Sequence, residues 1–132
     1  MNRKRPLKRS KPLKRVSEKR RKLMREVTPA RRRYMASNWS CQVCVCRRAS
    51  DCHEITRGAY REKALRHRAA WLAVCRECHD ELGDYRAWPI TRQLAVKLLA
   101  DPWHFDLAVV NEIRSDREPI ELAEVTKWLR LK

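Results

Sequence analysis

The spacing of apolar and polar residues predicts helices through the last third of the chain. Residues 90–100, ITRQLAVKLLA, place apolar side chains at helical intervals along one face. Asp101 and Pro102 resemble an N-cap followed by a first-turn proline, so we expect a second helix from there to about Arg114. Residues 120–131 predict a final amphipathic helix. The large aromatic residues of this third are expected in the core: Trp88, Trp103, Phe105 and Trp128.

The middle of the chain predicts two short strands and a helix. Residues 71–75 form a short apolar run, which is typical of a buried strand. Residues 40–55 predict a turn followed by another strand, and Trp39 is expected to pack against that turn. Residues 79–82 open a short helix, and residues 59–70 have a basic, helix-forming composition. Two short strands among several helices predict a mixed α+β fold.

The amino-terminal quarter is strongly basic. Residues 1–34 hold sixteen Lys and Arg against two Asp and Glu, a net charge of +14 out of +16 for the whole chain. Residues 35–132 therefore carry only +2, and we divide the chain into a basic arm (1–34) and a folded domain (35–132). Clustered Lys and Arg favour a polyanionic partner, because each neutralised phosphate releases a counterion.

Within this arm, the first half is expected to be disordered and the second half helical. Residues 1–16 repeat Pro-Leu-Lys-Arg with dense like charge, which argues against a packed element. Ser17 is a candidate N-cap for a helix to about Val27, and Pro29 is expected to start a second helix to Met35.

The distribution of apolar residues indicates the cellular compartment in which the protein is expected. The longest apolar run, Ala69 to Cys75, is too short to span a bilayer, and residues 1–30 lack the apolar stretch of a secretory signal. We therefore expect a protein of a reducing cytoplasm, without a membrane partner, whose thiols remain reduced.

Six cysteines in a reduced compartment point to metal binding rather than to disulfides. Four of them form two C-x-x-C pairs, Cys41/Cys44 and Cys75/Cys78. Two such pairs predict a tetrahedral structural zinc site, which contributes free energy of folding directly. Cys46 and Cys52 are surplus; either could replace one of the four, and both are expected to be buried free thiols.

Candidate chemistry is confined to three residues beside the cysteines. Cleavage of a phosphodiester needs a divalent cation near the phosphate and a base to activate water. His53 or Glu54 could be base or ligand, and His79 could be a second ligand. On a strand, His53 and Glu54 point to opposite faces, so only one can face a given metal. Nothing in residues 84–132 indicates chemistry.

The order C-x-x-C, His-containing strand, glycine, C-x-x-C-H resembles the zinc-bearing branch of the HNH endonucleases, which have a ββα-metal core. The resemblance covers about residues 41–82, and small members of this kind are common in bacteriophages and prophages. It implies that His79 ligates the catalytic Mg²⁺ or Mn²⁺. Aligning Ile55 with the family's apolar position makes His53 a ligand and Glu54 the base, whereas a shift by one residue makes His53 the base. The family's middle Asn is replaced by Ala70.

The resemblance implies a metal-dependent endonuclease that hydrolyses phosphodiester bonds in double-stranded DNA, with phage packaging or recombination proteins as further partners. A nuclease for branched recombination intermediates would share this chemistry. The alternative is a non-catalytic zinc-knuckle protein that binds nucleic acid, favoured by the absent Asn and by Glu54. The arginines expected to contact phosphate are Arg31, Arg32, Arg33, Arg57, Arg61 and Arg66.

Overall fold

The computed structural model describes residues 17–130, which form a mixed α+β fold with six α-helices and one two-stranded sheet. The elements in chain order are α1 (Glu18–Ser37), β1 (Asp51–Glu54), α2 (Arg61–Ala64), β2 (Trp71–Val74), α3 (Arg76–Leu82), α4 (Ile90–Ala100), α5 (Leu107–Ile113) and α6 (Leu122–Thr126). Short 3₁₀ turns occupy Gly58–Tyr60, Arg68–Ala70 and Lys127–Arg130. The predicted α+β class is confirmed, while the expected disorder of residues 1–16 lies outside the described residues. None of the described helices has the length and apolar character needed to cross a membrane.

Strands β1 and β2 form an antiparallel hairpin, and helix α3 follows β2 directly. His53 pairs with Leu72, and Glu54 pairs with Trp71. All four residues of β2 are buried, as its continuous apolar sequence predicts, whereas β1 buries His53 alone. Asp51 and His53 therefore share one face of β1, and Glu54 lies on the other.

Helix α1 is one continuous helix, so the predicted break at Pro29 is wrong. Ser17 caps the helix as expected, because its Oγ accepts a hydrogen bond from the backbone N–H of Arg20 at 3.3 Å. A proline inside a helix costs about 3 kcal/mol. Buried Leu23 and Val27 offset that cost, at about 1.5–3 kcal/mol for each side chain. The helix runs across the expected arm boundary at residue 34 and packs against the hairpin, where Tyr34 meets Trp71 edge to face.

In the last third, the helix predicted over residues 90–100 is confirmed as α4. The next helix begins later than predicted, at Leu107, where the Asp106 side chain accepts from the Val109 N–H at 3.1 Å. Asp101 is instead the C-cap residue of α4, and its carboxylate is turned inward. The predicted final helix is a five-residue α6 followed by a 3₁₀ turn.

That inward carboxylate belongs to a buried polar cluster that joins α1, β2 and α4. Lys97 is fully buried and donates at 2.7 Å to Asp101 Oδ2, at 2.7 Å to the Trp71 carbonyl and at 2.8 Å to the Tyr34 hydroxyl. Burial lowers the pKa of Lys97, although Asp101 opposes the shift. Burial would raise the pKa of Asp101. The hydrogen bond and charge of Lys97, together with the bonds from Tyr34 and His104, outweigh burial and hold that pKa low. The pair is therefore a buried salt bridge with its hydrogen bonds satisfied.

Several expectations about burial are wrong. Trp103 is 91% exposed and Trp39 is 70% exposed, so neither is a core residue. Cys46 is exposed, and Cys52 is only partly buried. The other expected core aromatics do pack, half-buried, against the main cluster: Trp88, Phe105 and Trp128.

Candidate active site and metal centre

The four predicted cysteines converge on one cluster. Cys41 and Cys44 lie in the turn before β1, whereas Cys75 and Cys78 lie at the start of α3. The four sulfur atoms are all within 4.8 Å of one another, and the sulfurs of Cys44 and Cys75 are 4.0 Å apart. Four Zn–S bonds of about 2.3 Å in a tetrahedron would place the sulfurs about 3.8 Å apart. The cluster can therefore hold a structural metal such as zinc.

The turn that carries the first pair is tight and strained. The Val45 N–H bonds to the Cys41 carbonyl at 3.0 Å, and the Cys41 N–H bonds to the Arg47 carbonyl at 2.8 Å. Val45 has φ of 63°, a left-handed conformation that is unfavourable for a β-branched residue. A backbone hydrogen bond at Cys46 lowers the pKa of Cys44, while burial and the neighbouring thiols raise the pKa of Cys78. A bound cation would take all four as thiolates.

His53 lies on the buried face of β1 and is held by helix α4. Its Nε2 is 2.7 Å from Oε1 of Gln93. Only 5% of the His53 surface is exposed. Burial lowers the pKa of His53, the bond to Gln93 opposes that shift, and neighbouring His79 reinforces it. Burial thus favours the neutral form of His53, and Gln93 orients its ring.

His79 follows the second cysteine pair on α3 and is held by Asp51. Its Nδ1 lies 2.8 Å from Asp51 Oδ2, so the open nitrogen is Nε2. Burial would raise the pKa of Asp51, but the hydrogen bond with His79 and the nearby charge of Arg76 lower it. The rings of His53 and His79 meet edge to face, with centroids 5.2 Å apart. A strand and a helix thereby place two imidazoles side by side.

Glu54 lies on the opposite face of β1 and is paired with helix α1. Arg31 donates to Glu54 Oε1 through Nη1 at 2.7 Å and to the Cys52 carbonyl through Nη2 at 2.7 Å. Both side chains are largely buried, at 19% and 12% exposed. The carboxylate is therefore already occupied by a guanidinium.

These groups surround one cavity of about 410 Å³. Its lining includes both histidines, Glu54 and three of the predicted arginines, Arg31, Arg57 and Arg61. The Arg57 guanidinium carbon lies 3.9 Å from the centre of the Tyr85 ring, and the Tyr85 hydroxyl donates to the Ile55 carbonyl at 2.8 Å. Thr56 also lines the cavity; its buried hydroxyl has no hydrogen-bond partner among the described residues.

A second cavity, of about 460 Å³, lies between α1 and β1 and shares Arg31, Cys52, Glu54 and Arg61 with the first. We call it the α1 groove. It is lined further by Arg20 and by the predicted Arg32. Of the other predicted arginines, Arg33 is exposed and lines neither cavity, and Arg66 is paired with Glu26 at 3.0 Å.

Four residues of this site were not anticipated from the sequence: Asp51, Thr56, Tyr85 and Gln93. Asp51 could have been found, since residues two apart on a strand share a face. Thr56 continues the same segment but has no pattern of its own. Gln93 has no local signal, because it lies in α4, forty residues after His53. Within residues 17–130, the four cysteines are the one set of three or more Cys, His, Asp or Glu side chains close enough to share an ion.

Comparisons with protein-family models, with curated proteins and with solved structures found no match to this chain.

Proposed function

We propose that this protein is a metal-dependent DNA endonuclease of the HNH type, as found in phages and prophages. The observation that carries the proposal is the edge-to-face pair of His53 and His79 at a cavity lined by Arg31, Arg57 and Arg61. The order β1, β2, α3 supports it, since the ββα-metal core has the same order of elements. A pair of imidazoles beside cationic side chains suits a phosphodiester, which needs both proton transfer and charge stabilisation.

In this proposal the cysteine cluster binds zinc as a structural ion. Helix α3 begins immediately after Cys75, and His79 follows Cys78, so a metal held by both pairs would fix the helix that carries His79. A small domain commonly gains such rigidity from zinc.

The catalytic ion would be Mg²⁺ or Mn²⁺, which when bound stabilises charge on the phosphate oxygens. The nitrogen of His79 that does not face Asp51 would hold it, and such ions complete their shells with water and phosphate oxygens. The site fits such an ion, because His79 lines the cavity and the Thr56 hydroxyl in the same lining has no partner among the described residues.

His53 is the proposed base and accepts a proton from the attacking water. Glu54 is less suited to that role, since Arg31 already occupies its carboxylate. We assign Glu54 instead to holding Arg31 at the edge of the cavity. The α1 groove then offers a cationic path to the site for the DNA backbone, because Arg20 and Arg32 extend the charge along α1.

A plasmid-nicking assay with Mg²⁺ or Mn²⁺ tests the proposal. His53→Ala and His79→Ala should each lower cleavage by at least about 100-fold, the usual contribution of an acid–base group. The cysteine-bound zinc, measured by elemental analysis, should be unchanged. His67→Ala is the matched control, because His67 is exposed and does not line the cavity. Full cleavage by both site variants would refute the proposal.

The second candidate is a non-catalytic zinc-knuckle protein that binds nucleic acid. The Glu54–Arg31 pair favours it, and so does Ala70, which stands in place of the family's Asn and is fully buried. Salt-sensitive DNA binding with no cleavage by the wild-type protein would establish this candidate. Comparing linear DNA with a four-way junction would separate a nuclease for branched substrates from one for duplex DNA.

A further inference from the structure

Gln93 contacts the candidate site from outside the hairpin and helix α3. It lies near the start of α4 and is fully buried. Its side-chain nitrogen lies 2.8 Å from the Trp88 carbonyl and 3.2 Å from the Leu82 carbonyl, while Oε1 lies 2.7 Å from His53 Nε2. Every polar atom of the amide thus has a partner.

These contacts allow only one orientation of the amide. Carbonyl oxygens only accept hydrogen bonds, so the group that faces Trp88 and Leu82 must be the NH₂ donor. Rotating the amide by half a turn would set Oε1 against two carbonyl oxygens. Oε1 and those two carbonyls would then all lack a hydrogen-bond donor. Oε1 of Gln93 therefore faces His53 as an acceptor.

An acceptor at that position determines where the proton of His53 lies. Because Oε1 cannot donate, the neutral imidazole must carry its hydrogen on Nε2, and the lone pair is then on Nδ1. We infer that Gln93 is a positioning residue that fixes the Nε2–H tautomer of His53 and leaves Nδ1 as the basic atom of the site. The tautomer follows from the contacts alone, whereas the use of Nδ1 in cleavage rests on the proposed function.

His79 is oriented in the complementary way. Asp51 accepts from its Nδ1, so the open nitrogen of His79 is Nε2. In their neutral forms the two adjacent rings thus have opposite tautomers. Asp51 on β1 accepts from Nδ1 of His79, and Gln93 on α4 accepts from Nε2 of His53. Helix α4 therefore contributes to the site, although it lies outside residues 41–82, which the family resemblance covers.

The test is a nitrogen-15 NMR spectrum of histidine-labelled protein, in which tautomers differ in their nitrogen shifts and couplings. The wild type should show His53 with the proton on Nε2, exchanging slowly with solvent; the signal is assigned by its loss in His53→Ala. In Gln93→Met, the exchange should be at least about tenfold faster, as expected for loss of one buried hydrogen bond.

The control is Gln42→Met, which removes the amide of another buried glutamine that contacts Tyr34 and Ala73 rather than His53. Its His53 signal should match the wild type. A proton on Nδ1 in the wild type, or an unchanged protected signal in Gln93→Met, would overturn the inference. The nicking assay then gives a separate answer: a correct tautomer without cleavage would refute the endonuclease and leave the role of Gln93 intact.

Discussion

Nucleic-acid binding in the α1 groove can be tested directly by comparing two double-arginine variants of α1. One variant removes arginines that line the groove, and the other removes arginines that do not. Arg20 and Arg32 line the groove, whereas Arg21 and Arg33, one residue further along, do not. All four side chains are exposed. The variant Arg20→Ala/Arg32→Ala and its partner Arg21→Ala/Arg33→Ala therefore remove the same charge from the same helix. Alanine is the best helix former, so both should keep α1 folded.

The expected magnitude follows from counterion release. The logarithm of the DNA association constant falls against the logarithm of salt concentration with a slope of about −0.9 for each phosphate contacted. Losing two contacts should make the slope of the groove variant less steep by about 1.8. Between 50 and 200 mM salt, the affinity of the groove variant should therefore fall about 12-fold less than the affinity of the wild type. The control variant lacks direct contacts and should keep nearly the wild-type slope.

Fluorescence anisotropy with a labelled duplex, measured across that salt range, gives the three slopes. Titrating without Mg²⁺ or Mn²⁺ avoids cleavage during the measurement. Equal slopes for the two variants would show that α1 contributes only general charge. A larger change of slope in the Arg21→Ala/Arg33→Ala variant would place the DNA on α1 outside the groove. Either result would refute the proposed path through the groove.

Three further predictions concern stability. Cys75→Ser should lose the bound zinc and most of the folded population, whereas Cys46→Ser, at an exposed thiol, should retain both; elemental analysis and circular dichroism measure the two effects. Val45→Gly should raise the free energy of unfolding by about 0.5–1 kcal/mol in denaturant titrations, because it removes left-handed strain at an exposed side chain. Lys97→Met should lower that free energy by about 3–5 kcal/mol by stranding the Asp101 carboxylate, and Lys97→Met/Asp101→Leu should recover most of the loss. A double variant no more stable than Lys97→Met would contradict the last prediction.

The elements predicted well are those whose signal is local. Helix α4 has a complete amphipathic pattern, and strand β2 is a short apolar run buried on both faces. The spacing of Cys41/Cys44 and Cys75/Cys78 likewise predicts the cysteine cluster, since the two residues of each pair lie within one turn. Local sequence patterns determine these three features, so contacts with distant residues do not alter them.

The errors arose where tertiary packing overrides a local preference. Pro29 signals the start of a helix, but buried side chains on both sides of it keep α1 continuous. Asp101 before Pro102 signals an N-cap, yet the buried Lys97 draws that carboxylate inward, and Asp106 caps the next helix instead. Contacts such as that of Gln93 with His53 join residues far apart in sequence, so no spacing pattern reveals them.

The same long-range contacts explain how so small a site is held in place. His79 depends on the cysteine cluster, His53 on Gln93 of α4, and Glu54 on Arg31 of α1. Three separate elements therefore converge on one short hairpin whose strands have only four residues each. Such a hairpin is not stable alone. The buried Lys97 binds α1 and β2 to α4, and so it keeps two of those three supports docked together. Metal removal should loosen the His79 side of the site, whereas loss of Lys97 should loosen the side held by α1 and α4.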